Sequence, residues 1–514
     1  MSSEVELKFR IPAPRLAAVR RAVATHAAEV VALAAVYFDT PGERLAQARV
    51  ALRLRREGDT WVQTLKAEGA SAMQRLEHNV VLPAAGPGKR RPALDLSRHD
   101  GTPAGERLRQ VLAAARDEPL HERYATEVSR TRRVLRVGDA RIELALDEGR
   151  ISAGRRSLPI CEIEFELLQG PTQALLDLAG RWVDRFGLVL DVRSKSERGH
   201  GLAAGVVVSP PTKARPVRLN PHDSLVAARA AMLANALGQA LANASQMAEG
   251  PSQPEHLHQL RVGLRRLRSL LRVYGPLAPL PDAALAPTLA TLFDQLGAAR
   301  DLDAMTEWLW PALQAADAPW VPEPAALAGG ISAVDVGALL CSPATQRLWL
   351  SALAACHAGE PPPHPPAAPA DAAAAETGAG HTAPPLRDAL HAPLQKLMRQ
   401  VRWDARRFTA LEDEHRHRLR RRIKRLRYAA EAVASLWPAK SVARTLRALA
   451  DAQEPLGEYN DTVVALGHFR ALAAQDGRAW FVVGWLTARR EALTAPCAEA
   501  LARLAKVRGF WQRR

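Results

Sequence analysis

"EVELKFRI", residues 4–11, alternates Glu4, Glu6 and Lys8 with Val5, Leu7 and Phe9. In an extended chain residues two apart share a face, so two carboxylates and an ammonium point one way and three apolar side chains the other. Alone, the pattern fits a strand with one solvated face. It recurs, however. "RIELALD" (141–147) places Arg141, Glu143 and Asp147 with Ala145 on one face, against Ile142, Leu144 and Leu146. "CEIEFEL" (161–167) places Glu162, Glu164 and Glu166 against Cys161, Ile163, Phe165 and Leu167. In "ALRLR" (51–55) Arg53 and Arg55 oppose Leu52 and Leu54; Thr64 and Lys66 share a face, as do Arg75 and Glu77. Acidic and basic strands both recur, each concentrating one sign on its polar face. If these strands close into a barrel with charge inward, arginines and lysines surround a cluster of carboxylates. Mg²⁺ is typically held by carboxylates, water and substrate phosphate oxygens, while guanidinium groups grip phosphate bidentately and lysine adds a point charge.

The bulk properties bound the rest. A chain of 514 residues is too long for one core and predicts two or three domains. With 47% hydrophobic and 24% charged residues it reads as a soluble globular protein. No run approaches the roughly 18 apolar residues of a membrane span, and a charged strand from residue 4 leaves no room for a secretory signal. Cys161, Cys341, Cys356 and Cys497 show no CxxC spacing, which argues against a zinc ribbon, a thioredoxin-type motif or a disulfide framework. The expectation is a cytoplasmic protein without a membrane partner. A net charge of +16 predicts polyanionic partners, without choosing between nucleic acid, an anionic membrane and phosphate polymers.

Up to about residue 205 the period is mostly two. "VALRLRREGDTWVQTLKA" reads as two strands joined at "REGD", and "TQALLDLAGRWVDRFGL" as an amphipathic helix ending at Gly187. A Pro-rich linker follows, and after residue 221 the period becomes helical, with Leu257, Leu260, Leu264, Leu267 and Leu271 at spacings of three and four. The helical half repeats itself. "HQLRVGLRRLR" (258–268) aligns with "HRLRRRIKRLR" (417–427), and "LGAARDLD" (296–303) echoes "LGEYNDTV" (456–463), which indicates a duplication. The Pro- and Ala-rich stretch 357–385 has little to bury and reads as a disordered insertion.

The first half resembles the CYTH superfamily, the triphosphate tunnel metalloenzymes. Glu4-x-Glu6-x-Lys8 matches its ExExK signature, and "YFDT" (37–40), "LRLR" (52–55), "TLK" (64–66), "RLE" (75–77), "ELALDEG" (143–149), "CEIEFE" (161–166) and "SKSERG" (194–199) follow in the family's order. The resemblance implies an antiparallel tunnel of about eight strands and hydrolysis of a triphosphate within it. It implies Glu4, Glu6, Glu162 and Glu164 as ligands of a divalent metal, Mg²⁺ or Mn²⁺. Lys8, Arg53, Arg55, Lys66, Arg75, Arg130 and Lys195 are the implied triphosphate-binding groups, and Glu77 and Glu143 the wall carboxylates. Glu4, Glu6, Lys8, Arg53, Arg55 and Lys66 form the expected catalytic set. Asn79 departs from the pattern, since an acidic residue is common after R-x-E.

In the second half, His258, Arg261, Arg265, Arg268 and Arg272 form one helical stripe, and His417, Arg420, Lys424 and Arg427 repeat it; Arg266 and Arg425 widen each stripe. Residues 257–272 and 417–428 contain no Asp or Glu, whereas solvated helices normally intersperse acids. These helices resemble the CHAD domain, which implies a basic pore binding inorganic polyphosphate. Tyr428 flanks only one stripe, and the lack of interleaved aromatics disfavours single-stranded nucleic acid.

The expected fold is thus α+β in two domains: a CYTH β tunnel with flanking helices over 1–205, a linker over 206–220, and all-α duplicated CHAD bundles over 221–514. The expected function is an inorganic triphosphatase, cytoplasmic and associated with polyphosphate granules. A class IV-type adenylyl cyclase and a non-enzymatic polyphosphate-binding protein stand as alternatives. Oligomeric state is not legible in the sequence.

Overall fold

A computed structural model describes residues 3–69, 71–82, 91–115, 118–206, 208–277, 280–323, 335–358 and 385–512, without the side chains of Ser3 and of 298–304. Most of the expected insertion, 359–384, lies outside the described residues.

Nine strands form one sheet: β1 (Ser3–Arg10), β2 (Glu29–Asp39), β3 (Val50–Glu57), β4 (Thr60–Glu68), β5 (Gln74–Leu82), β6 (His121–Val137), β7 (Ala140–Ala153), β8 (Arg156–Gln169) and β9 (Val189–Leu190). Their order is β5-β4-β3-β2-β6-β7-β8-β1-β9. A further antiparallel pairing of β1 with β5, with Glu4 opposite Arg75, closes the first eight strands into a barrel. Gly58, at φ 59°, makes the β3–β4 turn expected at "REGD". Closure leaves no free edge on those eight strands.

The barrel inverts the usual arrangement, with charge inside and apolar residues outside. Val5, Leu7 and Phe9 are buried on the outer face, where Phe9 meets Phe165 edge-on at 5.5 Å and Phe165 meets Trp182 at 5.6 Å. Flanking helices α1 (Leu16–Val23), α2 (Arg44–Gln47), α3 (Pro103–Ala114) and α4 (Thr172–Phe186) supply the cladding. Helix α3 packs Ala104, Leu108 and Val111 on Leu52, Leu65 and Ala67, while α4 carries Trp182 and ends at Gly187 in the left-handed region. Each buried side chain of this size contributes about 1.5–3 kcal/mol, so the shell stabilises the barrel without filling its interior. Helix α5 (Lys195–Ala204) packs on β6, β7 and β8.

The remaining helices are α6 (Leu225–Glu249), α7 (Pro254–Tyr274), α8 (Leu285–Ala315), α9 (Val336–Cys341), α10 (Pro343–His357), α11 (Leu386–Ala405), α12 (Asp413–Val433), α13 (Ala439–Ala473), α14 (Ala479–Ala492) and α15 (Thr494–Lys506). The repeat read in sequence is a repeat of elements. Helix α7, of 21 residues, leads through a 3-10 turn into the 31-residue α8, interrupted by Pro311. Helix α12, also 21 residues, leads through a 3-10 turn into the 35-residue α13, interrupted by Pro455. Helix α6 is long and apolar enough to span a membrane by composition, yet 61% of its apolar window is buried in the fold.

The chain packs as two compact units. One comprises Met1–Lys213, Leu237–Leu260 and Gly337–Gly378; the other comprises Ala214–Ala236, Arg261–Val336 and Ala379–Arg514. The first therefore includes helical segments from the second half of the sequence.

Candidate active site

Strand parity decides what the barrel holds. Glu4, Glu6 and Lys8 face a cavity of about 580 Å³, together with Arg53, Arg55, Lys66, Arg75, Glu77, Arg130, Glu143, Glu164 and Lys195. The barrel thus gathers the tunnel residues singled out in sequence, save one. Glu162, only 3% exposed, does not line the cavity; its carboxylate is covered by Lys195 and Arg198, beside Asp147 and Glu164. The wall also includes Asp147 and Glu166, which the sequence set omits. Their signal was present: Asp147 shares strand parity with Glu143, and Glu166 with Glu162 and Glu164.

Strand order sorts these charges by sign. Most carboxylates lie on the adjacent strands β7, β8 and β1, whereas Arg53, Arg55, Lys66 and Arg75 lie on β3, β4 and β5 and Arg130 on β6; Lys8 on β1 and Glu57, Glu68 and Glu77 on β3, β4 and β5 are the exceptions. An acidic arc faces a basic one.

Where the arcs meet, ion pairs form. Arg130 grips Asp147 with two hydrogen bonds of 2.7 Å and reaches Glu164 at 2.5 Å. Lys195, at the start of α5, stands 2.6 Å from Asp147 and Glu162 and 2.7 Å from Glu164. Burial alone would lower the lysine's pKa, but Asp147, Glu162 and Glu164 together hold it well above its ordinary value. Lys66 donates to Glu4 at 2.8 Å and pairs with Glu77 at 2.6 Å. Burial pushes the Glu4 carboxyl up against the pull of Lys66, with Glu6 and Glu77 adding to the rise. For Glu77 burial also raises the pKa, yet Lys66, the hydrogen bond from Glu4 and Arg53 outweigh it and hold the group well below the carboxylate range. Asn79, the departure from the acidic pattern, accepts from Thr64 at 2.7 Å and donates to Glu77 at 2.7 Å. It orients a carboxylate rather than supplying one.

Glu6, Glu166 and Glu143 differ from these. They sit opposite one another across β1, β8 and β7, and no side-chain hydrogen bond or ion pair joins them to any of the described residues. Burial raises Glu166 to about 7, opposed by Lys66 and reinforced by Glu143, Glu6 and Glu77. On the basic arc, Arg53 donates to the Tyr37 hydroxyl at 3.0 Å, and burial beside Arg53 lowers Arg55 to about 10.

The donor set suits a hard divalent cation. Oxygen atoms of Asp147, Glu162 and Glu164 lie within 4.8 Å of one another, and all-oxygen ligation is the preference of Mg²⁺ and Mn²⁺.

Two further motif residues have local reasons. Asp39 of "YFDT" accepts from the backbone N–H of Thr40, Leu45 and Ala46, fixing the turn into α2. Gly199 of "SKSERG" lies against Tyr124: a Cβ there would fall 2.2 Å from the ring. Only glycine lets α5 seat on β6.

In the second unit the arginines and lysine of the two basic stripes influence each other. Burial, then Arg420 and Arg265, bring Lys424 down to about 7, against the raising effect of Asp461. Burial and then Arg272, Arg421, Arg422 and Arg268 lower Arg425 to about 10. The guanidinium carbons of Arg261, Arg265 and Arg268 surround the Phe293 ring at 4.7, 5.3 and 4.9 Å. Arg266 is buried and donates to Asn235 at 2.7 Å, whereas Arg272 is exposed. His417 meets Asn460 through Nδ1, Arg420 lies 3.4 Å from Asp461, and Arg427 is taken up by Glu431 at 2.7 Å and Gln453 at 3.0 Å. His258 is half-buried; the side chain of Arg300, the counterpart of Asn460, lies outside the described residues.

Comparison with known proteins agrees with both halves. Residues 2–195 match the CYTH domain and residues 231–470 the CHAD domain. An inorganic triphosphatase of Haemophilus influenzae is 29% identical over 176 residues, which cover 33% of this chain and 45% of the relative. The match thus spans less than half of that relative's length. Among solved structures, the CHAD domain of the plant Ricinus communis is similar at 29% identity, covering 58% of this chain and 98% of its own, with a TM-score of 0.45. A putative adenylyl cyclase of Hippeastrum, described as having a dominant triphosphatase activity, is similar at 17% identity over 40% of this chain and 97% of its own, with a TM-score of 0.28. The chain is a CYTH–CHAD two-domain protein, its closed eight-stranded barrel the CYTH domain and its duplicated helices the CHAD domain.

Proposed function

We propose that the barrel hydrolyses inorganic triphosphate to pyrophosphate and phosphate with a divalent metal, and that the CHAD domain binds inorganic polyphosphate. One observation carries the reading: an acidic arc faces a basic arc across one cavity of about 580 Å³ inside the barrel. A triphosphate needs cations along its length and hard-metal ligands at its reacting end, and few other small substrates need both.

Arg53, Arg55 and Arg130 bind the phosphate chain, the guanidinium forks fixing its orientation. Lys8, Lys66, Arg75 and Lys195 add positive charge along it. Glu4, Glu6, Glu162 and Glu164 would hold the divalent ion, which when bound neutralises charge on the transferred group and acidifies water. Water attacks the terminal phosphorus in line, the bond to the bridging oxygen breaks, and pyrophosphate leaves. Such a transfer demands positioning and charge stabilisation rather than covalent catalysis. Glu77 and Glu143 keep the wall acidic, Glu77 being held toward Lys66 by Asn79.

Phosphate release from tripolyphosphate with Mg²⁺ or Mn²⁺ tests the reading, comparing wild type with Glu4→Gln/Glu6→Gln. Loss of metal-dependent turnover in the variant is expected; equal, metal-independent activity in both proteins would sink the assignment. For the CHAD domain, polyphosphate should outcompete DNA at fixed salt, and preferential DNA binding would overturn that half.

A further inference from the structure

Lys195 enters the cavity at the end of a strap, Asp191–Ser194, that has no regular secondary structure. Backbone groups there need partners elsewhere, and residues of the helical part of the chain, within the same compact unit, supply them. The N–H of Leu190 donates to Gln346 at 2.7 Å and that of Val192 to Ser245 at 3.2 Å. Arg193, 3% exposed, holds Asp191 through Nε at 3.0 Å and Nη2 at 2.8 Å. Its Nη1 donates to Gln246 at 3.1 Å and to Glu249 at 2.6 Å, both in the last turns of α6. With the guanidinium fixed, the Arg193 carbonyl turns toward β1 and accepts the Lys8 ammonium. The Asp191 N–H donates to the Lys8 carbonyl at 2.9 Å, so the strap grips Lys8 at both ends. Two residues beyond Arg193, Lys195 meets its three carboxylates.

We infer that Glu249 and Gln246 are positioning residues for the triphosphate: through Arg193 they set where the Lys8 and Lys195 ammonium groups stand in the barrel. The helical half of the sequence thereby completes the substrate grip of the tunnel half. This rests on the proposed function, because the placement matters to catalysis only if those two lysines meet phosphate. A purely structural tie would change stability and the fraction of active protein. A positioning tie changes affinity, because Lys8 and Lys195 act on bound phosphate.

The test uses the full chain as wild type, Glu249→Ala and Glu249→Gln. The readouts are Mg²⁺-dependent tripolyphosphate hydrolysis, direct tripolyphosphate binding by calorimetry, and thermal unfolding. Losing a hydrogen bond to a charged group corresponds to about tenfold. KM and Kd are therefore expected to rise about tenfold in Glu249→Ala while kcat stays within about twofold. Glu249→Gln, which keeps the acceptor oxygen, should fall between. Unchanged KM and Kd, or a fall in kcat at fixed KM, overturns the positioning role. A wild type that neither binds nor hydrolyses tripolyphosphate instead removes the proposed function, and this inference with it.

Discussion

Replacing Lys195 by methionine removes one ammonium and leaves three carboxylates facing the space it filled. Its Nζ stands 2.6–2.7 Å from Asp147, Glu162 and Glu164, and the lysine side chain is 13% exposed. The Asp147 side chain is fully buried and that of Glu162 is 4% exposed, so water replaces little of the lost interaction. Arg130 and Arg198 remain and keep the loss finite. Removing one partner of a buried ion pair costs about 3–5 kcal/mol. In a domain of about 200 residues each kcal/mol moves the melting midpoint by about 2–4 °C, so the barrel transition should fall by about 6–20 °C at neutral pH. Acid should narrow the gap. In wild type, burial raises Glu162 and Glu164, but Lys195 and its basic neighbours outweigh it and hold both low. That stability is present above the unfolded carboxylate pKa and is lost as pH falls through the depressed values. The variant, lacking the ammonium, has less of it to lose. Mg²⁺ should act as a substitute cation: a ligand at 100 times its Kd stabilises by about 2.7 kcal/mol. Differential scanning calorimetry of the full chain, with chelator and with excess Mg²⁺ at neutral and mildly acid pH, measures each effect. If Lys195→Met melts with wild type in chelator, the three carboxylates do not depend on this ammonium and the argument fails.

Gly199→Ala should lower the barrel midpoint, because its Cβ would fall 2.2 Å from the Tyr124 ring and overpacking of about 1–3 kcal/mol exceeds the helix-propensity gain of about 1 kcal/mol; an unchanged midpoint would contradict that packing. Lys424, brought to about 7 by burial and by Arg420 and Arg265, is largely neutral above that pH in the free protein. Polyphosphate binding in mildly alkaline buffer should therefore take up protons, an uptake that Lys424→Met should reduce; calorimetry in buffers of different ionisation enthalpy measures it, and equal uptake in both proteins would count against polyphosphate contact at this stripe. The same depression stabilises the fold as pH rises from about 7 toward the unfolded lysine value, where the unfolded chain binds the extra proton. Phe293→Leu removes the ring that three guanidinium groups share, each contact being worth about 0.5–1 kcal/mol. The variant should melt lower and gain more from added polyphosphate than wild type does, and an equal gain would refute a charge-offsetting role for the ring.

Much of the barrel was legible because side-chain direction in a strand has a period of two. Parity placed Glu4, Glu6 and Lys8 on one strand face and Arg53 and Arg55 on another, and the CYTH resemblance supplied the common interior. Asp147 and Glu166 obey the same parity and fall within "ELALDEG" and "CEIEFE", yet the ligand set that the resemblance implies does not include them. Glu162 has the right parity and motif position, but Lys195 and Arg198 cover its carboxylate and keep it off the cavity surface. Asn79 read as a lost carboxylate, and only its hydrogen bonds show it orienting Glu77.

By itself the sequence determined the alternation of β1, the charged residues that share each strand face, the helical period after residue 221 and the duplication of the basic helices. These are local properties, set by the geometry of extended and helical backbone. Tertiary structure decided which strands became neighbours. It closed β1 on β5, opposed the acidic arc to the basic one, and brought Lys195 between carboxylates from β7 and β8. It also tied the strap below Lys195 to α6, through Arg193 and Glu249, 56 residues apart. Coulomb and hydrogen-bond energies depend on distance in space, and distances between residues so far apart in the chain exist only once the barrel has closed.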